Sequence, residues 1–226
     1  MNFFRVWDTP GLGDGVAIDQ IHKKKMTELL YKTYSVDGIT YGFIDMVIVI
    51  VEGSNRDMGT TYTLLNEVVV PNIQKERIFV IINQADVAMK GRHWNHSTRT
   101  PDSQLITFLE EQAMSIQKRV REATGINIMK PVYYSAEYGW NVQAVFDFII
   151  DHMPPQRRPL IKIGGYCMRN SILESISSEI EADNNQVISD RDILLKNIEQ
   201  LKQQKLNILF VWSNWCWEKF NDQCDF

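Results

Sequence analysis

Cysteine and long apolar segments are both scarce in this chain of 226 residues. The three cysteines are Cys167, Cys216 and Cys224, and none belongs to a CxxC pair. Three unevenly spaced thiols exclude a disulfide framework and favour a reducing compartment. No stretch approaches the roughly 18 apolar residues that a membrane-spanning helix requires. We therefore expect a cytoplasmic protein without a transmembrane segment.

The chain also lacks an excess of positive charge. It has 24 Lys and Arg against 28 Asp and Glu, which gives a formal net charge of -4. Broad binding to nucleic acid needs clustered Lys and Arg, so the composition gives no strong nucleic-acid signal. The start of the sequence also lacks the basic and apolar pattern of a signal peptide. With 44% hydrophobic and 23% charged residues, the composition is that of a globular protein.

Short apolar runs alternate with longer amphipathic stretches along most of the chain. The runs predict strands at residues 3–7, 46–52, 78–83 and 132–135. The amphipathic stretches predict helices at residues 17–35, 60–74, 102–124 and 142–153. Nearly continuous apolar strands that alternate with helices indicate a mainly parallel sheet covered on both faces. The predicted fold class is therefore α/β.

A proline-rich and charged segment at residues 154–159 predicts a domain boundary. We expect a domain at residues 1–153, followed by a linker and a helical, aromatic appendage at residues 154–226. Helical patterns occur at residues 171–181 and 190–205 of this appendage. The apolar spacing of the second pattern continues to Ile208 but covers only two heptads, which favours packing on the domain over a coiled coil.

The first predicted strand ends in an aspartate that is followed by a glycine-rich turn. Asp8 begins the sequence DTPG, in which Gly11 comes three residues later. In open α/β sheets, ligands bind at the carboxyl ends of the strands, where an aspartate can hold Mg²⁺ through water. A glycine there lets a backbone N–H approach a phosphate oxygen. An ordinary turn after a strand explains the same residues equally well.

Two further strands end in polar residues with a matching chemistry. The third predicted strand leads into NQAD at residues 83–86, and the fourth leads into SAE at residues 135–137. The Asp86 carboxylate can accept from the ring N–H and the exocyclic amine of guanine together, and adenine has no such donor pair. Asn83 can brace the loops, and the Ala136 N–H can donate to the base carbonyl.

The order DTPG, NQAD and SAE resembles the guanine-nucleotide motifs of Era-like GTPases, over about residues 3–153. Era-like GTPases belong to the TRAFAC class. Two longer segments of this chain are similar to segments of bacterial predicted GTPases in that group: WDTPGLGDG at residues 7–15 and NQADVAMKGRHW at residues 83–94. The resemblance implies a P-loop-NTPase-like three-layer sandwich that binds GTP or GDP with Mg²⁺. Asp8 would be the magnesium-linked residue and Gly11 the γ-phosphate contact. The base would contact the remaining motif residues: Asn83, Gln84, Asp86, Ser135 and Ala136.

Three differences from the resembled family, and one further residue, predict weak nucleotide binding and weak or absent hydrolysis. The sequence contains no GxxxxGK[ST] phosphate loop and none of the switch segment before the first predicted strand. Gln84 replaces the usual lysine of the base motif. Beyond these differences, Leu12 occupies the position where Ras-type enzymes have a water-orienting glutamine, and Era-like proteins also have apolar residues there. A start codon upstream of Met1 would be an alternative explanation for the missing loop.

The resembled family also has a central strand that this sequence lacks near its beginning. Either the strands at residues 3–7 and 46–52 pair directly, or an apolar run such as Leu206–Trp212 inserts between them. We expect direct pairing, because insertion of a distant segment costs more loop-closure entropy.

Two groups of residues outside the motifs have alternative interpretations. His93 and His96 have a spacing compatible with zinc, but a polar loop explains them better. The C-terminal aromatic cluster, which includes Trp212, Trp215 and Trp217, favours core packing or a partner surface over membrane anchoring. The main rival to nucleotide binding is thus a non-catalytic protein-interaction module that retains the domain scaffold and binds a protein through this appendage.

Overall fold

A computed structural model describes residues 4–13, 15–36, 38–54, 58–160, 162–163, 166–167 and 206–212. In chain order the strands are β1 (Phe4–Thr9), β2 (Thr33–Val36), β3 (Ile39–Gly42), β4 (Met46–Glu52), β5 (Ile78–Asn83), β6 (Trp94–Asn95), β7 (Thr100–Pro101), β8 (Val132–Tyr133), β9 (Lys162–Ile163), β10 (Tyr166–Cys167) and β11 (Leu206–Trp212). The α-helices are α1 (Val16–Tyr31), α2 (Gly59–Leu64), α3 (Ser103–Thr124) and α4 (Val142–Asp151). A π-helical turn, Leu65–Val69, continues α2, and short 3-10 turns cover Lys75–Arg77 and Ala88–Gly91.

The central sheet contains five strands in the order β1-β11-β4-β5-β8. All four neighbouring pairs are parallel. Strands β4 and β5 are buried almost throughout, as expected for strands covered on both faces. The predicted α/β class and the mainly parallel sheet are therefore confirmed.

Helices cover both faces of the sheet, which gives three layers. Alternate residues of β4 point to opposite sides: Val47 and Val49 pack with α1, α2 and α3, whereas Met46 and Ile48 pack with α4. Strand β11 divides in the same way, because Leu209 and Val211 contact the first core and Leu206 and Ile208 the second. This alternation follows from the two-residue period of a strand.

Helix α3 begins and ends at residues with clear capping roles. The Asp102 carboxylate accepts from the Gln104 and Leu105 N–H groups, each at 3.0 Å. Gly125 follows the last turn with a φ of 76°, a left-handed conformation that glycine adopts without steric cost. The apolar face of α3 includes Leu105, Leu109, Ala113, Ile116 and Val120, all buried.

The expected direct pairing of the first strand with β4 is wrong. Strand β11 lies between them, with Leu209 paired to Trp7 on one side and to Val47 on the other. The buried Asp45 holds the start of β11, since its Oδ2 accepts the Asn207 N–H at 2.9 Å. Its Oδ1 accepts the Arg158 N–H, also at 2.9 Å. A segment from beyond the proline-rich stretch thus supplies a central strand.

Several predicted element boundaries differ from the structure. The first predicted helix ends at Tyr31 rather than residue 35, because the chain turns there into the β2-β3 hairpin. The helix predicted at residues 60–74 ends its regular α part at Leu64. Ile208, which we assigned to a helical pattern, lies in β11. The helices predicted at residues 171–181 and 190–205 lie outside the described residues.

Within the described ranges, no helix combines the length and the apolar character needed to cross a membrane.

Candidate functional site

The three motif loops lie at the same edge of the central sheet. Asp8 is near the carboxyl end of β1, Asn83 ends β5, and Ser135 follows β8. Because these strands are parallel, their carboxyl ends share one edge. Strands β1 and β5 are three strand spacings apart, which corresponds to roughly 14 Å across the sheet. We name the part of this edge at β5 and β8 the base end and the part at β1 the phosphate end, after the ligand groups that the sequence resemblance implies there.

At the base end, the NQAD and SAE segments are joined by side-chain hydrogen bonds. The buried Ser135 hydroxyl donates to Asp86 Oδ1 at 2.5 Å. Asn83 Oδ1 accepts from the Gln84 N–H at 2.7 Å and from the Ala136 N–H at 3.1 Å. The Ala136 N–H therefore contacts Asn83 here and would have to turn to a ligand on binding. Asp86 retains 8% exposure, so its carboxylate is close to the surface but held in one orientation.

The backbone at the base end is shaped by two residues with special geometry. Gln84 has a φ of 61°, a left-handed conformation that makes the chain turn directly after β5. Gly53, directly after β4, donates its N–H to the Asn83 carbonyl at 2.7 Å. A Cβ at Gly53 would lie 2.9 Å from the Gln84 carbonyl oxygen. Glycine is thus needed at position 53 for the two strand ends to approach.

Aromatic side chains pack behind the base end. Trp94 contacts the rings of Tyr138 and Trp140, with centroid distances of 5.3 Å and 5.8 Å. The Tyr133 hydroxyl donates to Glu110 Oε1 at 2.8 Å. Burial, together with the hydrogen bond to Glu110, raises the pKa of Tyr133 to about 12. These contacts fix the SAE segment against the body of the domain.

At the phosphate end, Asp8 contacts the last residue of β11. Asp8 Oδ1 accepts the Trp212 indole N–H at 2.9 Å. The carbonyl of Gly11 accepts from His22 Nδ1 at 2.8 Å, which fixes the turn to α1. A Cβ at Gly11 would lie 2.5 Å from the Trp212 carbonyl oxygen. Gly11 is thus required for the close approach of two backbones, besides any role with phosphate.

Leu12, near the phosphate end, and Glu52, beside Asn83, also bear on the chemistry that this edge could support. Leu12 is 1% exposed and belongs to the core, so its side chain points away from the edge. It is therefore not placed to contact an attacking water. Glu52 ends β4 beside Asn83, and burial raises the pKa of its carboxyl. A carboxylate at this position would repel an anionic ligand when it is ionised.

The described residues do not form a magnesium site by themselves. Mg²⁺ takes six oxygen ligands in near-octahedral geometry. Among the residues that the structure describes, no three His, Cys, Asp or Glu side chains cluster to hold a metal. Asp8 Oδ1 is in addition bonded to Trp212. One carboxylate is too few ligands to hold Mg²⁺, so a magnesium role for Asp8 would depend on ligands from elsewhere.

The two histidines of the polar loop have separate partners. His93 Nδ1 lies 2.7 Å from Asp102 Oδ2, and His96 Nδ1 lies 3.1 Å from the Tyr138 hydroxyl. His93 thereby joins the N-terminal cap of α3 to the loop. Each imidazole thus has a structural partner in its own neighbourhood.

The structure brings Asn83, Gln84, Asp86, Ser135 and Ala136 into one hydrogen-bonded group, and it places Asp8 and Gly11 further along the same edge. Gly53 and Glu52 were not among the predicted site residues, although Glu52 ends an apolar strand and Gly53 directly follows it. The sequence pattern places Trp212 in an aromatic cluster and gives no sign of its contact with Asp8.

Comparisons of this chain with protein-family models, with curated proteins and with solved structures give no significant match.

Proposed function

We propose that this chain is a guanine-nucleotide-binding protein of the Era-like GTPase type, with weak or absent hydrolysis. The single observation that supports it best is the group formed by Asn83, Asp86, Ser135 and Ala136 at one strand edge. A nearly buried carboxylate, oriented by a buried serine, is suited to a pair of N–H donors on one planar ring.

Selectivity for guanine over adenine would come from Asp86. The guanine ring N–H and exocyclic amine can donate to one carboxylate together, whereas adenine presents an acceptor at the ring position. Binding of adenine would leave a carboxylate that is only 8% exposed without its donors. Ser135 would then be its remaining side-chain donor, and a buried charge with too few donors is costly, so the site would discriminate by that cost.

The phosphates would extend from the base end toward β1. Gly11 would offer a backbone contact, and Asp8 would accept from the water shell of a nucleotide-bound Mg²⁺. Asp8 Oδ1 also accepts from Trp212, so this contact would use the remaining acceptor positions of the carboxylate. With no lysine-containing phosphate loop in the sequence, the phosphates would be held weakly.

Hydrolysis would be slow because the groups that assist it are missing. Leu12 is buried and cannot orient water by a hydrogen bond. Stabilisation of the charge on the transferred phosphoryl group depends on cations and backbone donors. The chain would therefore act mainly by binding nucleotide.

A competition titration tests the proposal. A fluorescent GDP analogue is bound by the protein and displaced by unlabelled GDP or ADP at millimolar concentrations. The proposal predicts displacement by GDP at lower concentration than by ADP, and loss of this preference in Asp86→Ala. The matched control is Asp151→Ala, which removes an exposed carboxylate at the end of α4. Equal displacement by both nucleotides in the unchanged protein would contradict the proposal.

The second candidate function is a protein-interaction module without nucleotide. The observation that favours it is a pair of exposed apolar side chains on one face of α1, Ile18 and Ile21, which are 45% and 55% exposed and lie three residues apart. This candidate predicts no nucleotide binding at any concentration tested, and self-association or partner binding that Ile21→Glu abolishes. Size-exclusion chromatography with light scattering measures the self-association.

A further inference from the structure

Strand β11 occupies a central position in the sheet, from which the chain would lead into a ligand site at the carboxyl edge. It lies between β1 and β4, in the middle of the parallel sheet, and its last residue is Trp212. Trp212 contacts both Asp8 and Gly11, the two residues of the phosphate end. A phosphate-binding loop at this edge would begin where β11 ends, beside Asp8. Its first residue would be glycine, because glycine lets backbone N–H groups approach an anion.

The residues that follow β11 have an unusual spacing of tryptophan. The sequence from 212 to 219 is WSNWCWEK, with tryptophan at positions 212, 215 and 217. In the signature GxxxxGK[ST], glycines occupy the first and sixth positions. Counted from the last residue of β11, these are positions 212 and 217. Residues 213–226 lie outside the described part of the chain, so only their sequence bears on the loop.

The genetic code connects the two patterns. Tryptophan has the single codon TGG, and reading one nucleotide later gives GG followed by the next base, which always encodes glycine. Positions 212, 215 and 217 therefore become glycine in that frame, whatever codons surround them. Glu218 becomes lysine if its codon is GAA, and Lys219 becomes serine if its codon is AAG. The shifted frame then reads GxxGxGKS, which satisfies the phosphate-loop signature.

The shifted frame also remains open to the end of the sequence. For every synonymous codon choice from Trp212 to Phe226, the shifted triplets contain no stop codon. The absence of stop codons over this stretch and the three glycines therefore hold for every gene that encodes these residues. The register is fixed independently by the structure, because the first of the glycines falls on the residue that ends β11 beside Asp8.

We infer that β11 is the strand of a phosphate-binding loop for a nucleoside triphosphate, and that the loop is encoded one nucleotide out of register with this chain. In the present frame, Trp212 stands at the first glycine position and covers Asp8. In the shifted frame, that contact disappears and a lysine and a serine follow, the groups that bind phosphates and Mg²⁺ in such loops. The guanine preference of the completed site rests on the proposed function, whereas the phosphate loop does not.

Two measurements test the inference. The first determines the codons of Glu218 and Lys219 in the gene. The inference expects GAA and AAG, which give lysine and serine in the shifted frame. A GAG codon at position 218 gives arginine, and an AAA codon at position 219 gives asparagine. Either of these would overturn the inference without any protein being made.

The second measurement uses the full chain with residues 212–219 changed to the shifted reading. The key substitutions are Trp212→Gly, Trp217→Gly, Glu218→Lys and Lys219→Ser, with the intervening positions changed to match. The control carries the same set with Glu218→Ala instead of Glu218→Lys. Calorimetry with GTP, ATP and Mg²⁺ should give a Kd for at least one triphosphate about tenfold or more below that of the control.

The outcomes separate the inference from the proposed function. Tighter binding of GTP than of ATP supports both. Equal gains for GTP and ATP support the phosphate loop and contradict the guanine preference. No gain over the control, in a variant whose circular dichroism matches that of the parent chain, overturns the inference. If the variant does not fold, the codons decide.

Discussion

Truncation of Leu209 to alanine measures the contribution of β11 to stability. Leu209 is fully buried between β1 and β4 and packs in the larger core. Removing a buried leucine side chain costs about 2–5 kcal/mol when a cavity remains. Since a domain has about 5–15 kcal/mol of unfolding free energy in total, this loss is a large fraction of it.

The control for this prediction is Val6→Ala on the neighbouring strand β1. Val6 is 47% exposed, so its truncation should change the unfolding free energy by less than about 0.5 kcal/mol. Urea unfolding followed by circular dichroism gives both values, with unchanged m if only stability changes. If Leu209→Ala costs no more than Val6→Ala, β11 is not a central strand and the description of the sheet is wrong.

Three further predictions concern the site. Gly11→Ala places a Cβ 2.5 Å from the Trp212 carbonyl oxygen, and should lower the unfolding free energy by about 1–3 kcal/mol; an unchanged urea midpoint would contradict this close approach. Ser135→Ala removes the donor to Asp86 and should cost about 1.5–3 kcal/mol, which Ser135→Thr should partly restore. Folding raises the pKa of Tyr133 from 10.0 to about 12, so the folded protein favours the neutral phenol. The contribution of Tyr133 to the free energy of unfolding is therefore complete below pH 10 and is lost as the pH rises from 10 to about 12. An ultraviolet titration in which every tyrosine ionises near pH 10 would contradict that shift.

The parts of the fold that were predictable from sequence have strong local signals. Strands β4 and β5 were predicted with their observed bounds, because each is a continuous apolar run that ends at a polar residue. Helix α3 was predicted within one residue, because Asp102 caps its start and Gly125 ends it. The β2-β3 hairpin was missed, since its short strands follow α1 without a clear break in pattern.

Direct pairing of the first strand with β4 is the wrong prediction because the entropy of loop closure grows slowly with loop length. Each doubling of loop length costs only about 0.6 kcal/mol. Burial of one large apolar side chain contributes about 1.5–3 kcal/mol, and β11 buries Leu206, Ile208, Leu209 and Val211. The gain from burial therefore exceeds the added cost of a long connection several times over.

The candidate site was predictable at the level of residues but not of contacts. The motifs identified Asn83, Asp86 and Ala136, and parallel strands place their loops at one edge. The bond between the Ala136 N–H and Asn83, and that between Trp212 and Asp8, depend on tertiary packing between segments far apart in sequence. No local pattern contains that information.

Mapping of amide shifts with GDP by NMR is the most direct test of the claim that one edge of the sheet binds a nucleotide, because it detects weak binding. The account predicts that the largest saturable changes occur at Gln84, Ala85, Asp86 and Ala136, and that Asp45 and Arg77 at the opposite edge do not respond. Changes confined to that opposite edge, or none at millimolar GDP, would contradict it.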